Sequence, residues 1–145
     1  MLNGLLIVKG IVATIAFVTA LLAFLTMMQI RKKIPAILPG NAAALRRWHV
    51  ISGRISLVSL IFLAFIGIGL ALFLYPPMAL RPWLHVLVAV STTLWFSAKV
   101  TVVRRKLQPW MKQLLPIGVI LFALQVVIFL TATVWAYWFK ITGVL

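Results

Sequence analysis

Residues 55–75 read ISLVSLIFLAFIGIGLALFLY, an uncharged run closed by Pro76-Pro77. A helix advances about 1.5 Å per residue, so about 20 such residues cross the ~30 Å hydrocarbon core of a bilayer. Three further runs of the same kind surround it. Residues 5–30 are broken only by Lys9 and end at Arg31-Lys32-Lys33, with Pro35 and Pro39-Gly40 beyond. A third run leads from Pro82 to the Arg104-Arg105-Lys106 cluster, and a fourth from about Leu114 to about Phe139. The expected spans are therefore about 4–30, 50–75, 82–104 and 114–139, with short connections that favour antiparallel neighbours. The fold class expected is all-α: a single-domain four-helix transmembrane bundle, up-down-up-down, with both termini on the outer side.

Composition points the same way. Hydrophobic residues make up 65% of the chain and charged residues 10%, against about 25% charged in soluble domains. The first run lacks the basic leader, short apolar stretch and cleavage pattern of a signal peptide, and is expected to be retained. Asn41 is the expected N-cap of the second helix, with Ala42-Ala43-Ala44 behind it, and Pro82 suits the first turn of the third. Pro116 either begins the fourth helix or kinks it.

The chain contains no Asp or Glu and fourteen Lys and Arg. Carboxylate acid–base catalysis, oxygen cages for calcium or magnesium and acidic proton relays are thereby excluded within it. Cysteine is absent too, which removes thiolate nucleophiles, zinc thiolates and iron–sulfur clusters. The chain is expected not to be an enzyme, and at most to serve electron transfer. Its basic residues lie between apolar runs and form no continuous stripe, so they read as topology signals and no nucleic-acid partner is expected.

Eleven of the fourteen cations (Arg31, Lys32, Lys33, Arg46, Arg47, Arg54, Lys99, Arg104, Arg105, Lys106 and Lys112) fall on one side of the expected bundle. The positive-inside rule assigns that side to the cytoplasm. Lys9, Arg81 and Lys140 fall on the other. Tyr75, Trp83, Trp135, Tyr137 and Trp138 are expected to form the outer aromatic belt, and Trp48 and Trp110 the inner one.

Polar residues inside spans are costly and therefore candidates for function. His85 and Lys99 share one face of the third helix, with Ala89 and Thr92 between them. The second helix carries His49, Gly53, Ser56 and Gly67, with Ser52 and Ser59 alongside, small residues that let helices approach. Gln125 is expected to bond across to another helix, Met27 and Met28 to be core, and Trp95 only to pack. His49 and His85 are the candidate metal ligands. His49, Lys99 and His85 are the candidate cofactor residues, for a b-type haem or a quinone; the plainer alternatives are snorkelling for Lys99 and ordinary hydrogen bonding for the histidines. Antiparallel second and third helices place His49 and His85 at opposite faces, so the two are not expected to ligate one haem.

His49-Val50-Ile51-Ser52-Gly53-Arg54, His85, Ala98-Lys99, Pro116-Ile117-Gly118 and Thr131/Thr133-Val134-Trp135 resemble the pattern of a family of small four-helix bacterial membrane proteins, a domain of unknown function. The resemblance runs from Leu45 to Trp138, about two thirds of the chain. The layout is also similar to cytochrome b561-type haem domains, although the histidine those carry on the fourth helix is missing here. The resemblance implies a bacterial inner (plasma) membrane location and a subunit of a respiratory or photosynthetic electron-transfer complex. Other membrane subunits and anionic lipids are the expected partners. The alternatives are a cofactor-free structural or assembly subunit and, third, an oligomeric channel or transporter component.

Overall fold

The computed structural model describes residues 2–74, 80–107 and 110–142. Four helices account for nearly all of them: α1 (Leu2–Ile30), α2 (Ala42–Leu74), α3 (Leu80–Arg105) and α4 (Leu114–Thr142). A 3₁₀ turn at Trp110–Gln113 leads into α4. The protein is all-α, and each of the four helices is long and apolar enough to cross a membrane: Ile7–Ile30, Ala42–Gly69, Trp83–Arg105 and Leu114–Thr131. Tyr75, Pro76-Pro77 and Pro109 lie outside the described residues. So do the side chains of Arg81, Met111, Trp135, Tyr137, Trp138 and Lys140, and with them most of the expected outer aromatic belt.

Local chemistry explains where the helices start and stop. Asn41 caps α2 as expected: its Oδ1 accepts from Ala44 N–H at 2.9 Å, and its carbonyl accepts from Leu45 N–H at 3.0 Å. The cap continues the helix through Trp48 and His49, so α2 begins eight residues before the expected span. Gly40 precedes it at φ 119°, a conformation that only glycine adopts without strain. Pro116 is the third residue of α4, where first-turn N–H groups have no intrahelical acceptor and its missing donor costs little. It begins the helix.

The ends of α1 and α3 repeat one motif that periodicity does not reveal. Lys33 N–H donates to Met28 O and Lys32 N–H to Gln29 O, both at 2.9 Å, with Lys32 at φ 53°. Leu107 N–H donates to Val102 O at 3.2 Å and Lys106 N–H to Val103 O at 3.3 Å, with Lys106 at φ 49°. Each is a Schellman closure in which lysine occupies the left-handed position usually given to glycine. Gln29 then fastens the α1–α2 connection: its Nε2 donates to Leu38 O at 2.8 Å, while its Oε1 accepts from Ile37 and Leu38 N–H at 3.1 and 2.9 Å.

The helices close a ring through α1–α2, α2–α3, α3–α4 and α4–α1 contacts. His49 meets Ala23 and Ser56 meets Ala16, so α1 and α2 run antiparallel. Beside Met27, Leu45, Leu60, Leu114 and Leu121, much of what lies inside is small or polar. Thr26 and Ser56 are fully buried and Thr92 nearly so, with Ala16, Ala20, Ala23, Ser52, Ser59 and Gln125 around them. Large apolar side chains face outward, Phe65 at 73% and Leu94 at 65% exposed. A protein soluble in water shows the reverse distribution. In lipid, where burying apolar area between helices gains little, close approach of small residues and interhelical hydrogen bonds hold a bundle together. Stacked rings add to the α1–α4 seam, with Phe17 on Phe129 and Phe24 on Phe122 at 4.4 Å between centroids. Trp95, expected only to pack, is 59% exposed and faces outward. Trp48 and Trp110 are exposed as well.

Candidate functional site

Three levels along the bundle carry its interior polar groups. At the middle, Gln125 Nε2 donates to Ala16 O at 3.0 Å and lies 3.3 Å from Ser56 Oγ. Ser56 Oγ–H in turn donates to Ala16 O at 3.2 Å. The expectation that Gln125 bonds across to another helix is met twice over. Because the amide has no water to turn to at this depth, these partners are what make its burial tolerable.

At the second level, His49 Nδ1 sits 2.8 Å from the carbonyl oxygen of Ala23. A carbonyl only accepts, so this contact calls for the proton on Nδ1 and, in the neutral ring, leaves a lone pair on Nε2. The charges of Lys99 and Arg31 reach the ring, and each other. Lys99 extends from α3 across the bundle: its Nζ lies 2.9 Å from the place a Cβ on Gly118 would occupy, beside Met27 Cε at 3.1 Å. Gly118 is buried, and its missing side chain is what makes room for the ammonium between α1 and α4. Among the described residues no hydrogen-bond acceptor meets Lys99, and the chain contains no Asp or Glu to pair with it. His49 and Lys99, two of the three expected cofactor residues, thus lie within electrostatic reach of each other, as does Arg31.

His85 does not. It lines a separate cavity of ≈ 60 Å³ with Lys9 and Gln125. On α1, Lys9 stands fourteen residues from Ala23, the partner of His49, or about 21 Å along the axis. The two imidazoles therefore sit at well-separated levels. Among the described residues His85 has no hydrogen-bond partner, although the charge of Lys9 acts on it. Thr92, between His85 and Lys99, is 1% exposed and bonds back to Val88 O at 2.8 Å. The His85–Lys99 face of α3 packs inward, the arrangement its small residues suggest.

Two participants were not foreseen from the sequence. Lys9 reads there as an interruption in an apolar run, although a lone charge in such a run is itself a signal. Gly118 reads as part of a motif; its role depends on a contact between α3 and α4 that no linear pattern encodes. No group of three or more His, Cys, Asp or Glu able to hold a metal occurs among the described residues.

No curated protein and no solved structure matches the chain. A family model does, over residues 1–144, and the short motifs around His49, Lys99 and Gly118 lie inside that match. The chain belongs to the family of unknown function DUF6529.

Proposed function

We propose that this chain is a small integral-membrane subunit of an electron-transfer assembly, respiratory or photosynthetic, whose His49–Lys99 level holds the head of a quinone against a partner subunit. The observation that carries this reading is the divided state of the His49 ring. Nδ1 is committed to Ala23 O, which leaves Nε2 for another partner, and the Lys99 ammonium, near enough for its charge to act on the ring, has no hydrogen-bond acceptor among the described residues. An acceptor next to a donor suits a group that alternates between hydroxyl and carbonyl. Nε2 would accept from the hydroxyl and could take its proton, and Lys99 would donate to the carbonyl oxygen. The bound quinone supplies the two-electron chemistry; His49 and Lys99 orient it and handle its proton.

A b-type haem finds a less complete set of ligands. His49 would be the residue to hold its iron, since a ligating imidazole commonly donates its other N–H to a backbone carbonyl. The second imidazole of the chain lies at the far level, in a cavity of ≈ 60 Å³ where small-molecule pockets take about 300 Å³ or more. The other axial donor would come from a partner. The proposed setting is a bacterial inner membrane with an up-down-up-down bundle, basic connections in the cytoplasm and both termini outside. The bias of cations toward one end supports it, and so does the antiparallel α1–α2 pair. Other membrane subunits and anionic lipids are the proposed partners.

A second reading, a structural or assembly subunit without cofactor, draws on the seam of Ala16, Ala20 and Ala23 against Ser52, Ser56 and Ser59, whose small size and hydrogen bonds hold the helices together. One preparation separates the two. The protein is purified in mild detergent, its partners identified, its quinone extracted, and a reduced-minus-oxidised spectrum recorded. Quinone that co-purifies with wild type and His85→Ala, and falls about tenfold (roughly 1.4 kcal/mol of binding) in His49→Ala and Lys99→Met, supports the redox reading. A b-type band lost in His49→Ala alone would assign the haem instead. A flat spectrum with no quinone overturns both in favour of the structural subunit.

A further inference from the structure

The level that the redox reading leaves unused carries its own chemistry. Lys9 enters from α1 and His85 from α3, and both line one cavity of ≈ 60 Å³. Ala13, Gly67 and Ala89 supply small, apolar walls. Gln125 closes the cavity toward the middle of the bundle, with its Nε2 already given to Ala16 O and Ser56 Oγ. Neither Lys9 nor His85 has a hydrogen-bond partner among the described residues. In most proteins an acidic side chain would neutralise such a half-buried ammonium, but this chain has no Asp or Glu. A half-buried ammonium without a counter-charge is disfavoured, and the apolar walls of the cavity offer nothing to replace it.

We propose that the Lys9–His85 cavity is a binding site for a small monovalent anion of the halide class. Size selects the class. A water needs about 10–15 Å³ of such space, so ≈ 60 Å³ admits one monatomic anion with a few waters and no organic ring. Charge selects it as well: a divalent oxyanion loses far more hydration on entering an apolar-walled cavity than a halide does. The Lys9 ammonium supplies the attracting charge and up to three N–H donors, and the His85 ring supplies one more. The bound ion takes the place of the missing carboxylate and ties α1 to α3, helices that sit across the ring from one another.

The test uses the full chain in nanodiscs of zwitterionic phosphatidylcholine, so that no anionic headgroup competes. Gluconate is exchanged for chloride or bromide at constant ionic strength, and thermal unfolding is followed. A halide concentration about five times Kd is expected to raise the melting temperature by about 3 °C. The rise disappears in Lys9→Met, shrinks in His85→Gln, and persists in Arg105→Gln, which removes the same charge from an exposed position. Broadening of the halide NMR line on adding wild-type protein, absent with Lys9→Met, reads binding directly even where the variant changes stability. If Lys9→Met does not fold, Lys9→Arg, which keeps the charge, must still broaden the line. Equal melting in gluconate and halide without broadening means that water fills the cavity and overturns the proposal. An undiminished halide effect in Lys9→Met does the same. Neither outcome bears on the quinone reading, which rests on other residues.

Discussion

Replacing Gln125 by leucine keeps the volume of the side chain and removes its amide. The residue is 4% exposed, and its Nε2 reaches two acceptors on different helices, Ala16 O at 3.0 Å and Ser56 Oγ at 3.3 Å. Interhelical hydrogen bonds in membranes average about 0.6 kcal/mol and reach about 1.7. Two of them, the longer being the weaker, give an expected loss of about 1–2 kcal/mol. Two considerations keep the value at that level. Ala16 O still accepts from Ser56 at 3.2 Å, so no carbonyl is orphaned, and lipid removes the usual gain from burying a larger apolar surface. The measurement is reversible unfolding in mixed detergent micelles, or steric trapping in bicelles. The Gln125→Leu and Ser56→Ala variants and their combination form a double-mutant cycle. Because the Gln125–Ser56 contact is lost in either single variant, and Ala16 O still accepts from Thr19 Oγ1 at 3.2 Å in the combination, the double variant should cost less than the sum of the single ones. A Gln125→Leu protein as stable as wild type, or more stable, would refute the claim that this amide pins α4 to α1 and α2.

Three other substitutions probe separate features. Gly118→Ala places a methyl 2.9 Å from Lys99 Nζ and 3.1 Å from Met27 Cε; both are flexible ends, so the cost should stay below about 1 kcal/mol and shrink in a Lys99→Ala background, where only the Met27 contact remains, whereas Gly118→Leu should cost about 2 kcal/mol or more by overpacking. Lys106→Gly should stabilise the protein by up to about 1 kcal/mol, because it relieves a left-handed residue at φ 49°; thermal unfolding at matched ionic strength reads this, and a loss of stability would mean that the lysine side chain does more than close the helix. Gln29→Leu removes three hydrogen bonds to the α1–α2 connection; hydrogen exchange at Ile37 and Leu38 should accelerate by about tenfold or more while the core amides stay protected.

The four helices were legible because a span is a one-dimensional property: enough apolar residues in a row, bounded by Asn41, Pro35 or basic clusters. Helical periodicity also sorted faces. It brought Ser52, Ser56 and Ser59 to one side of α2 and Thr92 between His85 and Lys99 on α3, and burial of those residues follows. Gln125 was readable from its depth, since an amide there has only other helices to bond to. Periodicity did less well for Trp95, which lies outward, and it carried no trace of the lysine-closed ends of α1 and α3, where backbone geometry rather than hydrophobicity decides.

Amino-acid order alone determined that this is a bundle of four apolar helices without acid or thiol chemistry, and that its two imidazoles belong to different helices. Which groups meet was decided only by packing. Lys99 could extend toward one end of its helix or across the bundle, and the missing side chain at Gly118, on another helix, draws it across. Lys9 and His85, 76 positions apart in the chain, share a cavity because α1 and α3 face each other across the ring. The free energy of a transmembrane helix depends on its own composition, whereas the position of a buried charge depends on the shapes of its neighbours.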